Sequence, residues 1–174
     1  MIILCFIDKT KYYPIPKNGG IYSPGVFFFK DSKYKLLDYK DCFTLGCVAV
    51  PAVRSPKLID GWMNDNDETT TIDKIRLILR IALVNGHDSV VLGAMGCGVF
   101  ANPPHHIALL FNHVFSDPEF KGRFKLIAFA IIDGSRTNNY DIFSEILTLK
   151  EDEDPTNEVD DVTSSLESTK IDKE

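Results

Sequence analysis

Short apolar runs along the chain predict β-strands, and they alternate with longer segments in which apolar residues recur at helical spacing. The runs are rich in β-branched and aromatic residues and end at proline, glycine or polar turns, as buried strands usually do. They cover Val26–Phe29, Cys42–Val50, Val90–Leu92 and Phe124–Ile132, with Tyr34–Leu37 as a hairpin partner of the first. Residues 2–7 are a further apolar run, which predicts a strand or an anchored terminus.

The helical segments complete an alternating pattern of strand and helix. Ile75, Ile78 and Ile81 share one face of a helix that we expect to be capped at Thr71 and to stop at Asn85-Gly86. Two more helices are predicted over Pro103–Phe115 and Tyr140–Leu149, and residues 54–68 are predicted to be a surface loop. The alternation is typical of a three-layer α/β/α sandwich with a mixed sheet. A length of 174 residues suits one such domain, over residues 1–149.

The stretch with the clearest chemical meaning joins the third predicted strand to a helix. It contains three glycines in six residues, Gly93, Gly96 and Gly98, and then Asn102 and Pro103, which favour a helix start. Glycines let backbone N–H groups crowd an anion, and the helix dipole adds favourable charge. The spacing matches neither the dinucleotide-binding nor the Walker A motif, so a phosphate site and a purely structural turn are both open.

Four segments together resemble a known family. Gly93–Pro104 reads GAMGCGVFANPP and resembles the diphosphate loop of the microbial-type poly(ADP-ribose) glycohydrolases, a branch of the macrodomain superfamily. Tyr22–Val26, Cys47–Val53 and Lys125–Asp133 resemble further strand segments of the family in the same order, so that the match covers about residues 20–148. The resemblance implies a macrodomain-like α/β/α fold, N-terminally shortened, that binds ADP-ribose.

The resemblance also implies which residues bind the ligand. Backbone N–H groups of the glycine loop, residues 93–100, would hold the diphosphate, and Phe100 would rest against the distal ribose. Tyr22–Pro24 would line the site from a neighbouring strand, and the end of the late strand at Asp133 would lie by the adenosine. The implied set is Gly93, Ala94, Gly96, Cys97, Gly98, Val99, Phe100, Asn102, Tyr22, Ser23, Pro24 and Asp133.

One part of the family pattern is absent from this sequence. The family hydrolyses its substrate with a triple-glycine loop leading to Gln-Glu-Glu, where a glutamate is the acid that a glycosidase needs. This sequence contains no glutamine and no two adjacent glutamates, and Arg54 stands near the position where the family has an asparagine. We therefore assign no catalytic residue and expect only the ligand-binding half of the family's site.

Other reactive side chains have simpler explanations. Cys97 before a helix start suggests a nucleophile, but no orienting group is visible, and packing in the loop explains a small residue equally well. His106 and His113 share a helical face without a matching carboxylate, so neither a metal site nor a cofactor is expected. Lys74, Arg76 and Arg80 are expected to form a solvated helix face rather than a nucleic-acid patch.

Charge is distributed unevenly along the chain. The last 24 residues carry ten acids and two lysines, a net charge of −8, which against −6 for the whole chain leaves +2 for residues 1–150. Residues 150–174 have no aromatic residue and little apolar periodicity, so they are predicted to be a disordered tail that solubilises the protein or binds a basic partner. The four cysteines form no CxxC pair, and no secretory or membrane-spanning run is visible. An intracellular protein, cytoplasmic or nuclear, is therefore expected.

The sequence favours a protein that binds ADP-ribose, ADP-ribosylated protein or a related nucleotide diphosphate without hydrolysing it. One alternative is a poly(ADP-ribose) glycohydrolase whose catalytic half comes from another chain or precedes Met1. A second alternative is an interaction scaffold that binds no nucleotide.

Overall fold

The computed structural model describes residues 12–133 and 137–148. The predictions for residues 2–7 and for the acidic tail therefore lie outside the described residues. Within these two ranges, six strands and three α-helices have described bounds, together with a short 3₁₀ helix at Tyr39–Asp41. The strands are β1 (Ile21–Phe28), β2 (Phe43–Ala49), β3 (Leu58–Ile59), β4 (Trp62–Met63), β5 (Ser89–Leu92) and β6 (Leu126–Phe129). The helices are α1 (Asp65–Val84), α2 (Pro104–Phe115) and α3 (Asn139–Leu147).

Helix α1 begins six residues before the predicted cap at Thr71. Asn64 is the N-cap, and its side-chain oxygen accepts hydrogen bonds from the N–H groups of Asn66 and Asp67 at 3.1 and 3.2 Å. Acidic residues in the first turn suit the helix dipole. Thr71 instead lies inside the helix, where its hydroxyl donates to the Asp67 carbonyl. The predicted stop is confirmed, because Asn85 is the C-cap and Gly86 has a φ of 76°.

The strands form three separate pairs. β1 and β2 are antiparallel, with a bulge at Pro24-Gly25 where the register shifts between Ser23 and Val26. β5 and β6 are parallel, and β3 and β4 form a small hairpin inside the segment that we predicted to be loop. The predicted hairpin at Tyr34–Leu37 is reduced to an isolated bridge between Lys30 and Leu36. The expected mixed sheet is thus present as parallel and antiparallel pairs that do not join within the described residues.

The core lies among the helices rather than between the strands. Ile75 and Leu79 of α1 and Ile107 and Val114 of α2 have no exposed surface. Phe111 of α2 contacts several aromatic rings, which are Phe115 at 5.8 Å, Phe129 at 5.1 Å and Phe143 at 6.4 Å between centroids. These contacts join α2 to β6 and α3 in one apolar cluster.

Strand β5 was expected to be buried, and this expectation is wrong; for β2 the sequence predicted only a long apolar strand. Neither strand contains a buried residue, and Leu45 and Val91 are 50% and 71% exposed. A two-stranded sheet has only one neighbour for each strand, so one edge of each strand stays uncovered. The predicted α/β class and macrodomain-like fold are nevertheless confirmed. No helix in the described part of the chain is long and apolar enough to span a membrane.

Candidate functional site

The glycine loop leaves the end of β5 and turns into α2 through a ring of backbone hydrogen bonds. Cys97 N–H donates to Ala94 O at 3.2 Å, Ala101 N–H to Gly98 O at 2.9 Å, and Asn102 N–H to Gly96 O at 3.0 Å. Among the described residues, the N–H groups of Gly98 and Val99 donate to no protein acceptor. Gly98 and Val99 are exposed, Val99 to 96%, and they lie five and four residues before Pro103, the N-cap of α2.

Gly96 is the one glycine of the loop that the backbone requires. Its φ is 75°, in the left-handed region that other residues avoid. A side chain there would overlap the amide of Asn102 and lie 2.9 Å from Ala52 Cβ. Gly98 has open space around the position of a side chain, and Gly93 meets only the Ala130 carbonyl at 3.7 Å. The three glycines therefore differ in role, and the space at Gly98 is what a ligand could use.

Asn102 holds the loop in place from inside. Its side-chain NH₂ donates to Val53 O at 2.7 Å and to Gly96 O at 3.0 Å, which ties the loop to the segment after β2. It was predicted to cap α2, but the N-cap position is Pro103, and Pro104 begins the helix. Asn102 is only 2% exposed. Buried carbonyl groups need hydrogen-bond donors, and the side-chain NH₂ of Asn102 supplies them.

Cys97 packs in the loop and is unsuited to nucleophilic chemistry. It is 8% exposed, and its Sγ donates weakly to Met95 O at 3.7 Å. Burial raises the pKa of the Cys97 thiol to about 12. A nucleophilic cysteine needs the opposite shift, because the thiolate is the reactive form. The packing explanation is the one that the geometry favours.

Phe100 ends the loop beside a cation. The Arg54 guanidinium carbon lies 6.0 Å from the centroid of the Phe100 ring, and Ser55 N–H donates to Phe100 O at 2.9 Å. Arg54 is exposed. This arrangement places a positive charge next to the ring that the resemblance assigns to a ribose.

Tyr22 lies in a cleft between the two longer strand pairs. The cleft has a volume of about 680 Å³ and is lined by residues of β2, β5 and α1 together with Gly93 and Ala94. The Tyr22 hydroxyl is 2.6 Å from His87 Nε2, and the two share one hydrogen bond. A side chain at Gly46 would lie 2.8 Å from the same nitrogen, so glycine there makes the pair possible. Sequence reasoning missed His87; its position directly after the Gly86 stop and two residues before β5 was the available signal.

The other predicted ligand residues are distributed around this region. Ser23 is half-buried and Pro24 exposed in the bulge of β1. Asp133 lies six residues before α3, and its carboxylate accepts from Asn139 N–H at 2.8 Å and Tyr140 N–H at 2.9 Å. These bonds explain Asp133 as a helix-capping residue. Within the cleft the structure brings together Tyr22, Gly93 and Ala94, and the remaining nine predicted residues do not line it.

His106 is a buried structural link rather than a reactive group. Its Nδ1 accepts from Met63 N–H at 3.1 Å, and its Nε2 is 3.2 Å from the Glu68 carboxylate. Because Nδ1 is an acceptor, the proton must lie on Nε2, where it is donated to Glu68. His106 therefore joins α2 to β4 and α1. No group of His, Cys, Asp or Glu in the described ranges is arranged to hold a metal ion.

The cationic face predicted for α1 is only partly solvated. Arg76 pairs with Asp117 at 2.9 Å, and Arg80 pairs with Glu119 at 2.5 Å. Lys74 was expected to be solvated, and this is wrong: it is 4% exposed, and its Nζ donates to Lys17 O at 2.5 Å. Burial, together with the charge of Lys17, lowers the pKa of Lys74. These three cations are therefore engaged in structural contacts.

Comparison with solved structures places these observations in a family context. A mutant of the poly(ADP-ribose) glycohydrolase from Thermomonospora curvata is 30% identical, with a TM-score of 0.66 over 74% of this chain and 49% of that one. The enzyme from Deinococcus radiodurans in complex with ADP-ribose is 26% identical, with a TM-score of 0.65 over 75% and 52% of the two chains. The T. curvata enzyme bound to the inhibitor ADP-HPD is 28% identical, with a TM-score of 0.63 over 74% and 48%.

This chain is similar to the microbial poly(ADP-ribose) glycohydrolases. The resemblance that the sequence motifs indicated is thereby confirmed. The chain spans about half the length of the glycohydrolase structures that it matches. No protein-family model matches the chain, and no curated protein matches it.

Proposed function

We propose that this protein binds ADP-ribose, free or attached to protein, or a related nucleotide diphosphate, and does not hydrolyse it by itself. The solved structures that it resembles include complexes with ADP-ribose and with the inhibitor ADP-HPD. Because the chain spans only about half of those proteins, their activity is not carried over with the fold. The absence of glutamine and of adjacent glutamates from the sequence supports binding without hydrolysis.

The observation that carries the proposal is the set of solvent-facing N–H groups at Gly98 and Val99. They lie between the end of β5 and the first turn of α2, with open space at Gly98. Exposed backbone N–H groups in a glycine-rich turn bind the oxygens of a phosphate favourably, because several donors can approach one anion. Gly96 and Asn102 hold this loop from behind, so little ordering is required when an anion binds.

Phe100 and Arg54 extend the proposal beyond the diphosphate. In our proposal the ring of Phe100 contacts the distal ribose, and the adjacent Arg54 guanidinium adds attraction for the anionic ligand. Tyr22 lines the site from β1, with its hydroxyl fixed by His87. Ser23, Pro24 and Asp133 stay predicted neighbours of the ligand.

Calorimetric titration of ADP-ribose tests the proposal with variants of Gly98. Gly98→Glu places a negative charge beside the donors and should weaken binding at least tenfold, which corresponds to about 1.4 kcal/mol. Gly98→Gln is the matched control, because it adds the same bulk without the charge and should weaken binding less. Cys97→Ala should bind almost as the wild type does, because the thiol only packs. If the wild type does not bind ADP-ribose at millimolar concentration, the proposal is wrong. The remaining hypothesis is then an interaction scaffold that binds no nucleotide.

The glycohydrolase similarity makes hydrolysis the second candidate, with the missing acid supplied by another polypeptide segment. Incubation of the pure protein with poly(ADP-ribose) should release no ADP-ribose above a buffer control. Multiple turnover by the protein alone would contradict this expectation, and Asp133 and Glu68 would be the first acids to replace. Both have structural partners, namely the start of α3 and His106, so their replacement needs a check of folding.

A further inference from the structure

The hairpin of β3 and β4 presents large apolar side chains to solvent. Ile59 and Trp62 are paired across the two strands and therefore lie on the same face, and they are 58% and 44% exposed. Leu58 is also 44% exposed. The turn is Asp60-Gly61, and both residues have a positive φ, 51° and 85°, as a two-residue turn of type I′ requires. The exposed apolar surface thus belongs to a defined hairpin, and such surfaces often bind another molecule.

The hairpin is anchored to the start of α2. The Trp62 ring centroid lies 5.3 Å from that of His105 and 4.9 Å from that of His106, and both contacts are edge-to-face. The Met63 N–H donates to His106 Nδ1 at 3.1 Å, which fixes strand β4 against the helix. Trp62 is therefore held by its neighbours although 44% of its surface is exposed. A ring that is already held loses little conformational entropy when a ligand binds to it.

The chain around the hairpin is acidic. Residues 57–68 contain four acidic residues and one lysine, a net charge of −3, whereas residues 1–150 carry +2. Asp60 in the turn and Asp65 at the first position of α1 are both exposed. The helix dipole accounts for the acidic residues in the first turn of α1, but not for Asp60 or for the exposed apolar residues beside it. An exposed indole next to carboxylates is complementary to a cationic side chain.

The hairpin also lies beside the proposed ribose end of the ligand site. Ser55 N–H donates to Phe100 O at 2.9 Å, and the three residues from Ser55 to Leu58 span at most about 11 Å. Trp62 contacts the first turn of α2, which begins four residues after Phe100. In the proposed function Phe100 contacts the distal ribose, and ADP-ribose is attached to proteins through this ribose. A protein that carries the modification would therefore leave the site close to the hairpin.

We propose that a hairpin surface, formed by Ile59 and Trp62 with Asp60 and Asp65, binds a segment rich in lysine and arginine on the protein to which ADP-ribose is attached. This inference rests on the proposed function, because it names the form of ADP-ribose that the site binds. A lysine or arginine side chain contacts the face of Trp62 and pairs with the carboxylates, while its methylene groups contact Ile59. A poly(ADP-ribose) chain is a polyanion, which the acidic residues repel. The hairpin surface thus favours modified protein over the polymer.

The fluorescence of Trp62 measures this binding, since the sequence contains one tryptophan. The probe is a short synthetic peptide of lysine, arginine, leucine and serine, with or without ADP-ribose on the serine. The modified basic peptide should bind at least about tenfold more tightly than free ADP-ribose, because two linked contacts act together. The control is the same peptide with glutamate in place of lysine and arginine, and its modified form should bind no more tightly than free ADP-ribose. Equal affinity of the basic and acidic modified peptides would overturn the proposal.

Substitutions in the hairpin test the contributions of the ring and of the charges by calorimetry. Trp62→Leu removes the aromatic face and should reduce the affinity for the modified basic peptide to that for free ADP-ribose, whereas Trp62→Phe should retain part of the difference. Asp60→Asn combined with Asp65→Asn removes two charges, and asparagine tolerates the positive φ at position 60. This double variant should bind the modified basic peptide at least about threefold more weakly at low salt. Asp41→Asn, at an exposed aspartate of the 3₁₀ helix, is the matched control and should change nothing.

Free ADP-ribose distinguishes a failure of this inference from a failure of the proposed function. All of these variants should bind free ADP-ribose as the wild type does. If the wild type does not bind it, the proposed function is wrong; if it does, and the two modified peptides bind equally, only the assignment of the hairpin surface is wrong. Tighter binding of poly(ADP-ribose) than of the modified basic peptide, lost in Trp62→Leu, would also overturn the proposal. Circular dichroism checks folding, and if Trp62→Leu does not fold, the double aspartate variant decides.

Discussion

The helices and the strands of this protein differ in how completely their apolar residues are covered. Ile75, Leu79 and Phe111 are almost fully buried where α1 and α2 meet the rest of the core. Leu45 and Val91, on β2 and β5, expose half or more of their surface although their sequences are just as apolar. The difference shows that an apolar run predicts a tendency to be buried, whereas burial itself depends on a neighbour on each side.

The largest expected difference in the free energy of unfolding is between a substitution in the helical core and one on an exposed strand. Phe111→Ala removes a ring that contacts three others in the core and should lower the free energy of unfolding by about 3–5 kcal/mol. Val91→Ala on the exposed strand should change it by about 0.5 kcal/mol or less if the strand is uncovered. Urea unfolding measures both. A loss of more than about 1 kcal/mol for Val91→Ala would show that β5 is covered in solution.

The glycine loop connects the helical core to the strands. Substitutions of its glycines should change the free energy of unfolding by an intermediate amount. Gly96→Ala forces a side chain into a left-handed position against Asn102 and Ala52, so it should cost about 2 kcal/mol or more. Gly98→Ala meets open space and should stay within about 0.5 kcal/mol of the wild type. Thermal unfolding of the two variants side by side is the measurement. Equal losses would mean that the space at Gly98 is filled in solution.

The smallest expected effect concerns the thiol that packs against the core from the loop. Burial raises the pKa of Cys97 to about 12 from an ordinary value near 9, so above about pH 9 the unfolded chain loses this proton while the folded chain keeps it. The Cys97 contribution to stability is therefore complete below pH 9 and declines as the pH rises toward 12. From pH 8 to pH 10 the wild type should lose about 1 kcal/mol more than Cys97→Ala does.

Urea unfolding of both proteins at the two pH values measures this difference. Cys47→Ala is the matched control, because Cys47 is half-exposed on β2. It should keep the wild-type dependence on pH. A Cys97→Ala protein with an unchanged pH dependence would place the thiol in contact with water.

Some local features of the fold could be predicted because they depend on a few adjacent residues. The stop of α1 at Asn85-Gly86 follows from the left-handed conformation that glycine permits. The start of α2 was placed within one residue, because proline fits the first helical turn. The start of α1 was placed wrongly, since Thr71 was chosen over Asn64, which is followed directly by acidic residues. Both residues can cap a helix, and the sequence alone did not rank them.

For the candidate site, the sequence predicted only those features that depend on the local conformation of the backbone. The glycine loop lies between β5 and α2 as the motif indicated, and Gly96 has the conformation for which glycine is required. The role of Asn102 was not predictable, because its partners Val53 and Gly96 come from two different loops. The contact of Tyr22 with His87 spans 65 positions in the chain and leaves no local signal. Asp133 illustrates the same limit, since its carboxylate caps a helix that begins six residues later.

The sequence by itself determined the α/β class, the glycine-rich turn into a helix and the similarity to the microbial glycohydrolases, because short-range sterics and residue order carry that information. Only the tertiary structure decided that residues of β2 and β5 line one cleft with Tyr22, and that Cys97 and His106 are buried structural groups. The physical reason is the range of the interactions. Caps and turns depend on residues a few positions apart, whereas strand pairing, burial and the shifted pKa of a thiol depend on distant segments that meet only in the folded chain.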